Sequence, residues 1–276
     1  MREKKVSGAL CLLLSLLLLE SLFLIHQNGR IEKLENAQAS AAPVLPPDEN
    51  SGETQLIKAA ELARASTVVV NVYDTITVHE YRDSFDEVEG TEVERETLAG
   101  QGSGVIVGEN LVLTCAHITS GRKRVGVEVP GQGEREAELL AADERNDLSL
   151  LKVPDLNGKA VPFGDAPTLG QPVLCAGNPA SEKLAGTVTF GIVSAPRREM
   201  GSLQIEGQTV TVFQTDAAIN GGCSGGGIFD LQGRLLGIVS RKYVGTAVSD
   251  TQLEGIGMCI PIRYGVELLQ KAEEES

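Results

Sequence analysis

Histidine, aromatic residues and positive charge are all scarce in this sequence. Its 276 residues include three histidines, no tryptophan and only 4% aromatic residues. The 24 lysines and arginines are outnumbered by 38 acidic residues, which gives a formal net charge of −14 at pH 7. This excess of negative charge argues against nucleic acid or an anionic membrane surface as a binding partner.

The five cysteines form no Cys-x-x-Cys pair and no spacing typical of a metal site. Cys11 lies in an apolar run near the N-terminus, and three of the other four fall inside apparent strands. The sequence therefore favours buried free thiols, and a disulfide between Cys175 and Cys259 remains the alternative. Neither a metal nor an organic cofactor is indicated.

The N-terminal segment is first basic and then apolar. Arg2, Lys4 and Lys5 precede an almost wholly apolar run over residues 6–25, which as a helix spans about 30 Å, the thickness of a bilayer core. The basic start places the N-terminus in the cytoplasm and the rest of the chain on the periplasmic or extracellular side. We therefore predict a transmembrane anchor over residues 1–27, with a cleaved signal peptide as the alternative. Residues 28–53 have the composition of a linker.

Residues 54–276 are predicted to form the folded domain. Short segments of β type, separated by Gly, Pro, Asn or Asp, fall into two groups at about residues 65–155 and 169–262, and a helix follows at about 264–274. Because no helices alternate with the strands, the pattern indicates an all-β protein built from two barrels or two sandwiches. The predicted strands are Thr67–Tyr73, Gly104–Val107, Leu111–Cys115, Val125–Val129, Ala137–Ala141, Leu148–Val153, Pro172–Ala176, Thr187–Ser194, Thr209–Gln214, Gly227–Asp230, Arg234–Ser240 and Gly255–Pro261.

Acidic residues concentrate between Glu80 and Glu96, where only Arg82 and Arg95 oppose them. Blocks of like charge stay in water, so we interpret this segment as a solvated loop. A surface that holds a protein partner is the alternative.

One serine, Ser224, stands among several glycines. Glycine adopts backbone conformations that other residues avoid and lets a substrate approach the main chain closely. A nucleophilic serine needs an exposed hydroxyl and neighbouring N–H groups that bind a developing oxyanion. Taken alone, the stretch is equally consistent with a flexible turn. The glycines are Gly221, Gly222, Gly225, Gly226 and Gly227.

The histidines decide between these two interpretations. His26 borders the apolar N-terminal run and His79 precedes the acidic segment, so only His117 lies inside the strand framework. Residues 222–226 fit the Gly-x-Ser-x-Gly elbow of α/β-hydrolases, but that fold needs a histidine after the serine, and none follows Ser224. The order histidine, acid, serine on paired β-barrels, which is the chymotrypsin arrangement, remains.

That arrangement requires a carboxylate between His117 and Ser224, near the end of the first barrel. Asp147 directly precedes an apolar strand, where a carboxylate can be partly buried and accept the imidazole N–H. Asp143 is the competitor, but it lies one strand end too early. The sequence therefore predicts a catalytic triad of His117, Asp147 and Ser224.

With these motifs in place, the sequence resembles the HtrA (Deg) family of trypsin-like serine proteases from about Gln55 to Lys271. The resemblance implies two six-stranded antiparallel barrels of the chymotrypsin/trypsin type with a C-terminal helix. It also implies a membrane-tethered, extracytoplasmic serine endopeptidase that cleaves unfolded or regulatory proteins without a cofactor. The matching motifs are Gly102–Val107, Leu113–His117, Asn146–Lys152, Gly177–Pro179, Thr189–Ser194, Thr215–Asn220, Ser224–Gly226 and Gly255–Pro261.

The resemblance also carries expectations about assembly and organisation. Members of the family often form trimers, so a homotrimer is expected on this ground alone. They usually carry peptide-binding PDZ domains after the protease, and we expect none in this chain. A catalytically silent, protease-like module that holds a protein partner is the alternative function.

Roles for the residues near Ser224 follow from the resemblance. The N–H groups of Gly222 and Ser224, with Cys223 between them, are expected to form the oxyanion hole. The pocket for the residue before the cleaved bond is expected to involve Ile219, Asn220 and Gly221, and the strand that pairs with substrate to involve Ile238, Val239 and Ser240. The family's usual proline, asparagine and proline are replaced by Gly221, Cys223 and Gly227, which predicts a loosened loop.

Overall fold

The computed structural model describes residues 51–84, 87–129, 131–179, 182–201, 205–242 and 254–275. All of them belong to one compact unit, Asp48–Ser276. They form two closed barrels of six antiparallel strands each, which confirms the all-β class and the two-barrel architecture. The helices are α1 (Gly52–Ala65), α2 (Ala116–Thr119) and α3 (Ile262–Glu274), with a 3-10 turn at Glu182–Leu184.

The first barrel has the strand order β1-β2-β3-β6-β5-β4. Val70, Val105 and Leu113 are fully buried in its core, as expected for β-branched and aliphatic side chains on a pleated inner surface. The strands are β1 (Thr67–Ser84), β2 (Glu87–Gly108), β3 (Leu111–Thr114), β4 (Arg124–Glu128), β5 (Glu134–Asp143) and β6 (Leu148–Lys152).

The second barrel has the order β10-β11-β12-β9-β8-β7. Phe213, Ile228 and Leu236 are buried in its own apolar cluster, which also contains three of the cysteines. The linker between the barrels runs along β11, where the Leu235 N–H donates to Pro162 O over 2.8 Å. The strands are β7 (Pro172–Gly177), β8 (Thr187–Gly201), β9 (Thr209–Thr215), β10 (Gly227–Phe229), β11 (Leu235–Lys242) and β12 (Gly257–Pro261).

The acidic segment is a β-hairpin, so the predicted loop was wrong. β1 and β2 pair from Thr67 opposite Val105 to Ser84 opposite Glu87, with one bulge. The side chains of Glu92, Glu94 and Glu96 are nevertheless exposed, because a two-stranded ribbon can present charge to water. A run of like charges indicates exposure, whereas the β-branched residues at 75–78 set the extended backbone.

A charged cluster holds the base of this hairpin against the first barrel. Arg124 stacks over the ring of Tyr73 at 3.7 Å and donates to Glu96 through two nitrogens, at 2.9 and 3.0 Å. It also donates to Glu134 over 2.8 Å, and Glu134 in turn accepts from the Tyr73 hydroxyl and from Asn71. A planar guanidinium suits such simultaneous contacts, so the hairpin leaves the barrel in a defined direction.

The first and last helices each cover the barrel that is more distant from them along the chain. α1 precedes the first barrel but contacts β7, β8 and β10 of the second. α3 follows the second barrel but contacts β5 and β6 of the first, as well as β11 and β12. Gly265 of α3 lies so near Leu113 that an added Cβ would be 3.2 Å from that side chain. The two barrels are therefore joined at both ends of the domain.

The predicted N-terminal anchor lies outside the described residues. Among the helices that the structure does describe, none is both long and apolar enough to cross a membrane. The described residues begin at Ser51, near the end of the predicted linker. The Ser51 hydroxyl accepts the Thr54 N–H at 3.2 Å and so caps α1.

Candidate active site

His117 lies on α2, a single helical turn that directly follows β3. β3 ends at Thr114, and Cys115 takes the N-cap position with extended backbone before the helix begins at Ala116. Ala116 and Ile118 are buried and fix the turn, while the side chain of His117 is 31% exposed. The imidazole is thus held on a short rigid element and remains accessible to solvent.

Asp147 occupies the turn between β5 and β6 and adopts a left-handed backbone with φ of 60°. Its carboxylate is almost wholly buried and lies against His117. Nδ1 of His117 is 2.9 Å from Oδ1 and 2.8 Å from Oδ2, and the His117 backbone N–H donates to Oδ1 over 2.9 Å. Because an ionised carboxylate only accepts hydrogen bonds, Nδ1 carries the proton and the Nε2 lone pair remains available as a base.

The competing carboxylate, Asp143, has a structural role in the same turn. It accepts the backbone N–H of Asn146 at 3.0 Å and its side-chain amide at 2.7 Å. The structure therefore brings Asp147, not Asp143, to the histidine.

Ser224 lies at the junction of the two barrels, half-buried in the loop between β9 and β10. Its hydroxyl donates to the carbonyl of Ser240 over 2.8 Å. Within the described part of the chain, no hydrogen bond joins this hydroxyl to His117. The hydroxyl therefore has to leave the Ser240 carbonyl before the histidine can take its proton.

Ser240 contacts two members of the predicted triad. Its hydroxyl donates to Asp147 Oδ2 over 2.8 Å, while its carbonyl accepts from Ser224. Sequence reasoning assigned Ser240 only to substrate pairing, and no sequence signal marked its hydroxyl as a partner of the carboxylate.

Two backbone donors next to Ser224 are free. Among the described residues, the N–H groups of Gly222 and Ser224 have no hydrogen-bond partner, whereas that of Cys223 donates to Asn220 O over 3.1 Å. Gly222 has φ of 91°, a conformation that glycine adopts without strain. The free donors are the two that the sequence analysis assigned to an oxyanion hole.

The loop around Ser224 is held from the first barrel by Ser103 of β2. The Ser103 N–H donates to Ser224 O over 2.8 Å, and its hydroxyl donates to Gly222 O over 2.7 Å. That hydroxyl also accepts the Asn178 N–H at 2.9 Å. Both residues belong to motifs quoted above, but the sequence alone assigned neither of them this positioning role.

The substitutions at Gly221, Cys223 and Gly227 do not all loosen the loop. Cys223 is buried, and Gly227 belongs to β10, where it pairs with Ala176 and Ile238. Only Gly221 lies in open surroundings, with no atom within 4 Å of an added Cβ. Burial and strand pairing thus hold two of the three positions, and a loosened loop stays a prediction.

We predict that Gly225→Ala lowers the free energy of unfolding by about 2 to 5 kcal/mol. Gly225 has φ of 84°, and an added Cβ would clash with Ser103 O and the Thr114 hydroxyl. Urea denaturation of the variant and the wild type measures the difference. The matched control is Gly221→Ala, which we expect to change stability by less than about 0.5 kcal/mol. Equal stability of wild type and Gly225→Ala would contradict the prediction.

The residues predicted to contact substrate occupy different environments. Ile219 is buried beside Gly257, whereas Asn220 and Gly221 are exposed. Ile238 and Val239 are fully buried core residues. The backbone groups of Val239 are bonded to Gly225 and Gly226. Of the predicted pairing strand, Ser240 is thus the residue that reaches the site, and its pairing with substrate stays a prediction.

The four cysteines in the described residues are free and buried, as the sequence favoured. Burial raises the pKa of the Cys223 thiol above its ordinary value, so the thiol next to Ser224 is protonated at neutral pH. Burial also raises the pKa of Cys115 well above its ordinary value, and the negative charge of Asp147 raises it further. None of these thiols is an activated nucleophile.

Comparison with known proteins finds similar sequences among peptidases. Residues 102–238 match the family model of the trypsin-like peptidase domain. The serine protease Do-like HtrA of Lactococcus lactis subsp. lactis is 35% identical over 187 residues, which cover 64% of this chain and 46% of that protein. The protein of the same name from Bacillus subtilis is 36% identical over 192 residues, which cover 65% of this chain and 42% of that protein. The chain thus spans about half the length of these relatives.

The solved structures agree with the sequence comparison. The HtrA-type protease AlgW with a decapeptide superposes with a TM-score of 0.63 at 28% identity. The match covers 79% of this chain and 67% of that one. The similarity therefore extends over both barrels.

Proposed function

Because the chain belongs to the HtrA family through its trypsin-like peptidase domain, we propose that it is a serine endopeptidase with polypeptide substrates. The observation that carries the proposal is the buried Asp147 carboxylate bonded to His117 Nδ1, beside Ser224 and two free N–H groups. The AlgW structure contains a decapeptide, which supports peptides as the substrate class. Unfolded or regulatory proteins are the proposed substrates.

Each residue of the site has a distinct role in the reaction. When Ser224 leaves the Ser240 carbonyl, its hydroxyl attacks a peptide carbonyl while His117 Nε2 accepts its proton, and His117 then protonates the departing amine. Asp147 keeps the proton on Nδ1 and stabilises the charged imidazole. The free N–H groups of Gly222 and Ser224 bind the oxyanion, where one donor is worth roughly a hundredfold or more in rate.

We propose that the N-terminal segment anchors the chain in a membrane and that the protease domain lies on the periplasmic or extracellular side. This proposal rests on the basic residues before position 6 and the apolar run over residues 6–25. Homotrimeric assembly is proposed from the family resemblance alone.

The second candidate function is a catalytically silent module that holds a protein partner. The bond from Ser224 to Ser240 O favours it, because in this arrangement the nucleophile is not joined to its base. The same bond is compatible with an endopeptidase if substrate binding moves the Ser224 hydroxyl from Ser240 O to His117.

A fluorophosphonate probe separates the two functions, since it labels only a serine activated by its neighbours. We expect the full chain to be labelled and to cleave unfolded casein, and both signals to be lost in Ser224→Ala. Followed through cell fractionation, the labelled band is expected in the membrane fraction for the full chain and in the soluble fraction for a chain that begins at Ser51. Absence of both labelling and cleavage in folded wild-type protein would overturn the endopeptidase proposal, and a soluble full-length band would overturn the anchor.

A further inference from the structure

A buried thiol lies directly behind the catalytic pair. Cys115 is fully buried, and its Sγ is 3.2 Å from the carbonyl of Val239. Ligand atoms of Cys115, His117 and Asp147 all lie within 4.8 Å of one another. The endopeptidase mechanism uses the histidine and the aspartate but gives the thiol no role.

Sulfur, imidazole nitrogen and carboxylate oxygen together form a ligand set that zinc prefers. We propose that Cys115, His117 and Asp147 form an inhibitory binding site for Zn²⁺. The proposal goes beyond the peptidase activity, because the same three side chains would bind the ion in a catalytically inactive protein.

The distances require modest side-chain shifts around the ion. Zinc bonds of about 2.0–2.3 Å place the ligand atoms of a tetrahedral site roughly 3.3–3.7 Å apart. His117 Nδ1 and Asp147 Oδ2 are 2.8 Å apart and have to separate by about 0.5 Å, whereas separations of up to 4.8 Å within the cluster have to shorten by about 1 Å. Ser240 holds the carboxylate through Oδ2, as an outer-shell partner that orients a ligand does.

The charges at the site favour a divalent cation. The Asp147 carboxylate is 4% exposed and lies beside the thiol, so a bare thiolate there would be a second buried negative charge. A zinc ion that replaces the thiol proton neutralises both anions, and the proton leaves to solvent.

Binding at this site would disable the general base. With zinc on Nδ1, the single proton of the neutral imidazole moves to Nε2. Nε2 then has no lone pair with which to accept the Ser224 proton, so peptide cleavage stops while the ion is bound. Chelation of the ion restores the Nδ1–H tautomer and the activity.

Cobalt reports on the site without reference to activity. Titration of the detergent-solubilised full chain with Co²⁺ is expected to produce the near-ultraviolet charge-transfer absorption of a cobalt–thiolate bond. The band should be lost in Cys115→Ser, whose hydroxyl can still donate to Val239 O, and should persist in the matched control Cys175→Ser. Absence of the band in wild-type protein, or its persistence in Cys115→Ser, would overturn the zinc site even if the protein proves to be an active peptidase.

Inhibition is measured with Zn²⁺ alone, against the activity of each variant in the presence of a chelator. We expect zinc to inhibit wild-type peptide cleavage reversibly, and Cys115→Ser to need at least tenfold more zinc for half inhibition. Cys115→Ala serves as a second variant if the serine disturbs folding. Equal zinc sensitivity of the wild type and a folded Cys115 variant would contradict the proposal.

Discussion

Replacing Ser224 or His117 with alanine is expected to lower the turnover of a peptide substrate by roughly four to six orders of magnitude. The physical reason is that nucleophile and base act in one step, so the loss of either removes the same proton transfer. The double variant Ser224→Ala/His117→Ala should therefore be no slower than the single variants. Single-turnover cleavage of a fluorogenic peptide, with active-site concentration normalised by folded protein, measures all three rates.

The outcome for the double variant is the informative one, because the Ser224 hydroxyl bonds to Ser240 O and not to His117. Equal rates for the single and double variants would show that the hydroxyl moves to the histidine during catalysis. Losses that multiply in the double variant would mean that the two residues act independently, which contradicts the proposed triad.

Asp147→Asn is expected to lower turnover by about four orders of magnitude while leaving the protein folded. The carboxylate accepts hydrogen bonds from the His117 backbone N–H, from His117 Nδ1–H and from the Ser240 hydroxyl. An amide has only one accepting oxygen. An amide N–H that faces Nδ1 selects the Nε2–H tautomer, which cannot accept the serine proton. Asparagine tolerates the backbone φ of 60° at this position, so the backbone of the turn is retained.

Asp143→Asn is the matched control for this substitution. It removes a carboxylate from the same turn, where Asp143 bonds only to Asn146 among the contacts that shape the site. We expect its turnover to stay within a fewfold of wild type, and thermal melting to show both variants folded. Similar losses in the two variants would indicate that the turn as a whole, rather than Asp147, supports catalysis.

Much of the fold could be predicted from the sequence because most of its strands are short, β-branched and bounded by Gly, Pro, Asn and Asp. The segments Leu111–Cys115 and Leu148–Val153 differ by one residue from β3 and β6. The acidic hairpin could not be predicted in the same way. Its charges reflect exposure on both faces of a ribbon, and the cross-strand pairing that orders it depends on residues distant in the chain.

The candidate site was predictable as far as residue types and chain order constrain it. A single histidine inside the framework pointed to His117, and the chain order pointed to Asp147. The rotamer of Ser224 and the role of Ser103 depend on contacts between the two barrels, which no local pattern encodes. The same holds for Cys115, which comes close to the Asp147 carboxylate only when β3 and β6 pair.

The packing of α1 and α3, each on the barrel more distant from it along the chain, bears on how this domain folds. Each barrel has a closed sheet and on that ground could be a separate cooperative unit. However, helix α1 packs on the second barrel but is synthesised before the first barrel. Helix α3 packs on the first barrel but is synthesised after the second barrel. The first barrel therefore buries Leu113 and its neighbours fully only after α3, at the end of the chain, has been synthesised. The catalytic pair and its nucleophile come together only once the whole domain is complete.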